Sequence, residues 1–240
     1  MTVRRASSKA NAGKRVWICG FRRFPRALWG VKVRVHEFTS PASPADRVVQ
    51  MSARLRDFAV AFGRLIDTHP GEPRILEEGG AMLRGLVARD DWLPEAFAKP
   101  HPARYQQYLL HLDAAERFSV VSFVWGPGQA TPVHDHTVWG LIGMLRGAEV
   151  SQRYTERDRL LMAEGPPMRL GPGDVEAVSP TVGDVHRVCN AYDDRVSISI
   201  HVYGADIGKV RRHTYPTDGG RKPFTSGYSE SRPSSPTSSK

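Results

Sequence analysis

The chain has 240 residues, 40% hydrophobic and 25% charged, the composition of one ordinary globular domain or at most two small ones. No apolar run approaches the roughly eighteen residues of a membrane-spanning helix, and two distant cysteines, Cys19 and Cys189, cannot make the framework of a small disulfide scaffold. The net charge of +9 is carried by one end: residues 1–36 hold ten basic residues and no Asp or Glu, and subtracting those ten from 34 leaves 24 basic against 25 acidic residues.

A phosphate-binding surface spread over the whole domain is therefore not implied, and no nucleic-acid partner is expected. The arm admits three readings. It has the composition of a transit peptide, but Pro25 and Gly30 interrupt any helix there. It is also open to reading as an arm for an anionic partner, or as an extension from an upstream start codon with Met51 as an internal methionine. It lacks the long apolar core of a secretion signal, and a cytoplasmic protein is expected. Residues 1–44 are read as a basic, disordered extension, residues 45–228 as the folded domain, with a helical cap over 45–100 and a barrel over 101–228. Residues 229–240 are read as a disordered Ser/Pro tail, too polar to offset the ordering entropy of its backbone.

From Ala45 to Phe97 apolar residues recur at helical spacing. Val48, Met51, Leu55, Phe58, Ala59, Phe62, Leu65 and Ile66 share one face, and Ile75, Leu76, Met82, Leu83 and Leu86 predict a second helix. Asp46 or Ser43 is a candidate cap for the first helix, and the stretch from His69 to Pro73 ends it. From Arg117 the period shortens to alternating runs broken by Gly and Pro: Phe118–Trp125, Pro132–Met144, Ala148–Tyr154, Asp174–Val178, Val185–Ala191 and Val196–Tyr203. Helices followed by many short strands predict a mainly β protein, a small antiparallel barrel or jelly roll with an N-terminal helical cap.

The chemistry-bearing residues fall in those strands. In Thr131-Pro-Val-His-Asp-His-Thr137, a strand directs His134 and His136 to one face and Asp135 to the other. A divalent ion needs a third ligand, and His186 in Gly183-Asp-Val-His-Arg-Val-Cys-Asn190 has the strand context for it. Three neutral imidazoles suit iron, zinc, copper or nickel, and spacing does not choose among them. An H-x-H triplet alone is more often structural.

The wider pattern is more specific. Gly128, His134, His136, Gly140 and Gly147, followed by Gly183, His186 and Asn190, resemble the two motifs of the cupin superfamily, with Gly140 where many cupins have a glutamate ligand. The segments Phe118–Trp125 with Gly126-Pro-Gly128, His134–Thr137, His186-Arg-Val188 and Ser199-Ile-His-Val-Tyr203 resemble, in order, the thiol dioxygenases of the cysteine dioxygenase family. The resemblance implies a jelly-roll cupin barrel that holds mononuclear non-haem Fe(2+) on His134, His136 and His186. It also implies that a small thiol and O2 become a sulfinate with no organic cofactor. Some members join the tyrosine to a cysteine at the position of Gly140, so that crosslink cannot form here. Cys189 reads as a small buried apolar residue.

Ser199, His201 and Tyr203 alternate with Val196, Ile198, Ile200 and Val202, so one strand face carries a hydroxyl, an imidazole and a phenol in a row. Turned inward, such a stripe must be hydrogen-bonded, which makes it a candidate relay. The family resemblance implies that it places the phenol beside the reacting groups. In Arg104-Tyr-Gln-Gln-Tyr108, Gln107 stands where the cysteine-specific type has a carboxylate-binding arginine, and resembles the type that prefers 3-mercaptopropionate. An amide brings no charge, so Arg211 or Arg212 is expected to assist, with Arg212 taken as substrate-binding. A monomer is expected. The rival readings are a cysteine dioxygenase, another metallocupin chemistry on zinc or manganese, and a non-catalytic ligand-binding cupin.

Overall fold

A computed structural model describes residues 51–157, 160–217 and 219–230. Helix α1 (Ala53–Asp67) starts at Ser52, whose hydroxyl accepts from the Leu55 amide at 3.3 Å. This corrects the expected cap: the helix begins later than the periodicity suggests, and Ser43, Asp46 and Val48 lie outside the described residues. Leu55, Phe58, Ala59, Phe62 and Leu65 form its buried stripe at spacings of three and four, as the sequence pattern requires. Helix α2 runs through Glu72–Arg74, a π-helical stretch at Ile75–Gly79, and Gly80–Val87. At Gly79 the helix comes so close to its neighbours that a Cβ would stand 2.8 Å from the Phe62 ring and 3.1 Å from Leu141, so only glycine fits.

Ten strands follow among the described residues: β1 (Gln106–Leu112), β2 (Ser119–Trp125), β3 (Gly140–Arg146), β4 (Glu149–Arg157), β5 (Leu160–Leu170), β6 (Val175–Val178), β7 (His186–Asn190), β8 (Ser197–Tyr203), β9 (Arg212–Thr214) and β10 (Lys222–Phe224). One antiparallel sheet has the order β1-β2-β8-β3-β6, a second β5-β4-β7, and β9 and β10 form a hairpin. Mainly antiparallel β structure with a short helical cap is the expected cupin jelly roll.

The five-stranded sheet is buried on both faces. Val120, Val124, Leu141, Leu145, Ile198, Ile200 and Val202 pack outward into one core with Phe58, Phe62, Leu83 and Leu86 of the helices. The residues between them, including Val121, Phe123, Trp125, Ile142, Met144, Ser199, His201 and Tyr203, turn to the barrel interior. The helical cap thus supplies the apolar partner of the sheet's outer face, while the inner face sets Ser199, His201 and Tyr203 among apolar side chains. Three sequence expectations change. The run Pro132–Met144 is a strand only from Gly140, and His134 instead makes isolated bridges to His186 and Thr214. Strands β1, β5, β9 and β10 have no counterpart among the expected runs. Ser229, assigned to the disordered tail, pairs with Gln107, its amide donating to the Gln107 carbonyl at 2.7 Å and its hydroxyl accepting from the Gln107 amide at 3.0 Å.

A candidate metal centre and its polar relay

His134, His136 and His186 converge inside the barrel, their ligating nitrogens all within 4.8 Å of one another and all three rings buried. The ring centroids form a triangle with sides of 4.9 Å. Backbone bonds tie the motifs together, with His134 and His186 exchanging amide-to-carbonyl bonds of 3.0 Å.

Each ring is oriented from behind through Nδ1. In His134, Nδ1 lies 3.1 Å from the Pro132 carbonyl, an obligate acceptor, and in His136 it lies 3.0 Å from Asp184 Oδ1. In His186 it lies 3.3 Å from the Ser151 hydroxyl. With the proton on Nδ1, Nε2 keeps its lone pair for a metal. Burial, with the neighbouring imidazoles, pushes His134 down to about 3 and His186 well below the ordinary histidine range, so both imidazoles are neutral at physiological pH, the form a metal requires.

Asp184 does more than orient one ring. It accepts from the His136 amide at 2.9 Å and the Thr137 amide at 2.8 Å, wrapping the turn around one carboxylate. Thr137 is held there at φ 61°, a left-handed conformation costly for a β-branched residue. Burial raises the Asp184 pKa, but its bonds to His136 and Thr137 outweigh it and hold the carboxyl below the ordinary value. Asp135 is engaged away from the three rings. It accepts from the His213 amide at 2.7 Å, from His213 Nδ1 at 3.0 Å and from the Tyr215 hydroxyl at 2.9 Å, which fastens β9 beside the histidines.

Three imidazoles with their Nδ1 atoms engaged, in a buried pocket without a carboxylate ligand, fit a divalent transition ion. Gly140 supplies no fourth ligand.

The stripe of β8 is turned inward and joined: Ser199 Oγ lies 2.8 Å from His201 Nε2, and His201 Nδ1 lies 2.8 Å from the Tyr203 hydroxyl. Trp125 donates its indole N–H to Ser199 at 3.1 Å, and Phe123 stacks on the His201 ring at 4.1 Å. Burial, with the nearby His136 and His134, keeps His201 neutral. Burial also raises the Tyr203 phenol far above its ordinary value, Arg212 opposing in part, so it keeps its proton.

A cavity of about 220 Å³ opens onto the three histidines, His201 and Tyr203. Tyr105, Phe123 and Trp125 form an aromatic wall, and Gln107, Arg212 and Ser226 bring polar atoms. Arg212 is only 3% exposed, has no carboxylate partner among the described residues, and leaves Nε without a hydrogen bond. Its Nη2 donates to the Ser226 hydroxyl at 2.7 Å, and its guanidinium lies over the Phe224 ring at 4.8 Å. Arg211 is exposed. Gln107 lines the cavity, but its amide nitrogen donates to Ser226 Oγ and to the Gly227 carbonyl, both at 3.0 Å. Both Gln107 N–H groups are thus engaged by the C-terminal segment, and Ser226, which accepts from Gln107 and Arg212, has its own hydroxyl proton to offer.

Residues 88–215 match the cysteine dioxygenase type I family. The chain belongs to that family. Its members are metalloenzymes, and the described barrel places the three histidines within the matched span. Solved structures that resemble this cysteine dioxygenase family member include a protein from Thermus thermophilus, 22% identical, over 46% of this chain and 92% of that one, with a TM-score of 0.36. A conserved protein with a double-stranded β-helix domain from Klebsiella pneumoniae is 18% identical over 46% of this chain and 85% of that one, with a TM-score of 0.34. A cupin superfamily protein from Desulfitobacterium hafniense is 15% identical over 49% of this chain and 94% of that one, with a TM-score of 0.37.

Sequence reasoning missed Pro132, Ser151 and Asp184. Asp184 stands two residues before His186 and carried a signal, a carboxylate beside a candidate ligand. Ser151 and the Pro132 carbonyl carried none, because their roles depend on contacts across strands.

Proposed function

We propose that the protein is a mononuclear non-haem Fe(II) thiol dioxygenase whose preferred substrate is 3-mercaptopropionate. The domain that carries the activity spans residues 45–228 and works as a cytoplasmic monomer on a small thiol and O2. In the overall reaction the thiol sulfur loses four electrons, dioxygen gains them, and both oxygen atoms end on sulfur as a sulfinate. When bound, the iron supplies the acidity that ionises the thiol and the redox chemistry that activates dioxygen.

The observation that carries the substrate assignment is the buried Arg212. A guanidinium held at 3% exposure without a carboxylate is costly unless an anion completes it, and its unpaired Nε faces this requirement. Arg212 and the Ser226 hydroxyl hold the carboxylate, and Gln107 fixes Ser226. The tyrosine, phenylalanine and tryptophan wall excludes water, and Tyr203, held protonated, donates a hydrogen bond to the negative charge that develops.

Among the described residues no Asp or Glu lines the cavity, so a substrate ammonium finds no ion partner, which favours a thiol carboxylate without an amine. Cysteine is the second reading. The Gln107 carbonyl oxygen makes no hydrogen bond among the described residues and is able to accept from an ammonium.

The test is steady-state oxidation of 3-mercaptopropionate, L-cysteine and cysteamine by the iron-loaded protein. The reading expects the highest kcat/KM for 3-mercaptopropionate, whereas a preference for cysteine overturns the substrate assignment and keeps the reaction.

A further inference from the structure

The Ser199, His201 and Tyr203 chain has a buried carboxyl at the end away from the phenol. Glu149 stands on β4, on the strand face shared with Ser151 and Arg153, opposite Asn190, Val188 and His186 of β7, and so faces the barrel interior. It is 0% exposed, and neither carboxyl oxygen makes a hydrogen bond among the described residues. The Ser199 hydroxyl acts on it from β8 as a hydrogen-bonding group that favours the charged form, although the contact is not closed. From β6 the Glu176 carboxyl faces it as a like charge, and from β8 Tyr203 feels its charge.

Among the described residues no cation answers it. The Arg153 guanidinium on its own strand is committed to Glu176 and to the Ala177 and Val182 carbonyls. Asn190, opposite on β7, spends its amide N–H groups on the Trp125, Gly126 and Arg195 carbonyls and its oxygen on Tyr192 and Ser197. On β5 the paired residue is Leu170, which is apolar. Burial therefore dominates, followed in the same direction by Glu176, and the Glu149 carboxyl is pushed up to about 8.

Hydrogen-bond arithmetic then gives the chain two directions. Ser199 Oγ always accepts from Trp125, because an indole only donates. Neutral His201 carries one proton on either Nδ1 or Nε2. If a carboxylic acid donates to Ser199, the serine turns its own proton to His201 Nε2, His201 donates from Nδ1 to the Tyr203 oxygen, and the phenol proton is free for the cavity. If a carboxylate accepts from Ser199 instead, His201 donates from Nε2 to Ser199, Tyr203 donates to Nδ1, and the cavity meets a phenol lone pair. The first state becomes the second by one proton leaving at the phenol end while one proton shifts along each link, so Glu149 ends with one proton fewer.

We infer that Glu149 is a positioning residue that sets this direction, its neutral carboxyl closing on Ser199 so that Tyr203 presents its proton to the substrate. The inference deepens the proposed function and rests on it for the identity of that substrate.

The test uses the full chain loaded with Zn(II), a diamagnetic probe, and reads the His201 tautomer by 15N NMR of the imidazole across pH, in the wild type and in Glu149→Gln. The amide of Gln keeps a donor at every pH. The wild type is expected to pass from Nδ1–H to Nε2–H as pH rises through about 8, with Glu149→Gln remaining Nδ1–H. With iron, the variant is expected to lose the alkaline decline in kcat assigned to Glu149. A wild-type tautomer that ignores pH, or one that switches equally in both proteins, overturns the inference. If Glu149→Gln does not fold, Ser199→Ala replaces it: cutting the link must make the His201 tautomer insensitive to pH near 8, and a persisting switch overturns the inference. The tautomer is read without turnover, so an iron-loaded protein that oxidises no thiol sinks the proposed function separately.

Discussion

The ring of Tyr203 occupies the space that a side chain at residue 140 would need. A Cβ on Gly140 would stand 2.8 Å from Tyr203 Cδ1, 2.9 Å from Cε1 and 3.0 Å from Val178 Cγ2, and Gly140 and Tyr203 are register partners on β3 and β8. The missing fourth ligand and the placement of the phenol are therefore one structural fact. Gly140→Ala should push the ring away from the histidines, since overpacking of this kind costs about 1–3 kcal/mol. The expected result is a fall of about tenfold or more in kcat with bound metal unchanged. Wild-type kcat in a metal-loaded variant would show that Tyr203 does not need this position.

Asp184 predicts a different phenotype, one of affinity. Its carboxylate orients the His136 ring and holds Thr137 in its left-handed turn. Asp184→Ala should weaken metal binding by about 10–100-fold, as loss of the group behind a ligating histidine does. Competition with a chelator of known affinity measures it, and an unchanged affinity would contradict the orienting role.

Arg212→Met removes the charge and keeps most of the stem. A hydrogen bond to a charged group contributes about 1.5–3 kcal/mol, so kcat/KM for 3-mercaptopropionate should drop by about 10–100-fold. Cysteamine has no carboxylate, and its kcat/KM should change little. Equal losses on both thiols would mean that Arg212 supports the barrel rather than the substrate.

Phe62 carries the cap onto the barrel. It is 0% exposed and its ring meets Phe58, Phe118 and Trp139 at centroid distances of 5.0 to 6.0 Å. Phe62→Ala should destabilise the protein by about 3–5 kcal/mol in chemical denaturation. A loss below about 0.5 kcal/mol, the range of ordinary surface changes, would mean that the cap is not part of the cooperative unit.

What was legible in the sequence had a local period or a motif. The Leu55 to Leu65 stripe of α1 and the alternation of β8 were readable because each repeats a burial pattern within one element. The three histidines were readable because two stand two apart and the third falls in a later alternating run. Strand β5 was not, because Gly165, Pro166 and Pro167 interrupt it and its residues are mostly exposed, leaving no hydrophobic alternation. Glu149 was hidden by the opposite effect. Next to Val150 it reads as the solvent side of a strand, yet both faces of β4 are covered at that point and the carboxyl faces inward. The Gln107 amide looked available to a substrate because its partners, Ser226 and Gly227, are far away in the chain and meet it only in the fold.

The decisive measurement for the thiol dioxygenase reading is to load the protein anaerobically with iron, quantify the metal, and follow 3-mercaptopropionate with isotopically labelled dioxygen. Iron-dependent formation of the sulfinate is expected, with both new oxygen atoms drawn from the labelled gas, and none once His134, His136 and His186 are replaced. Fully iron-loaded protein that consumes dioxygen without forming a sulfinate from any small thiol, or that consumes none at all, would contradict that reading.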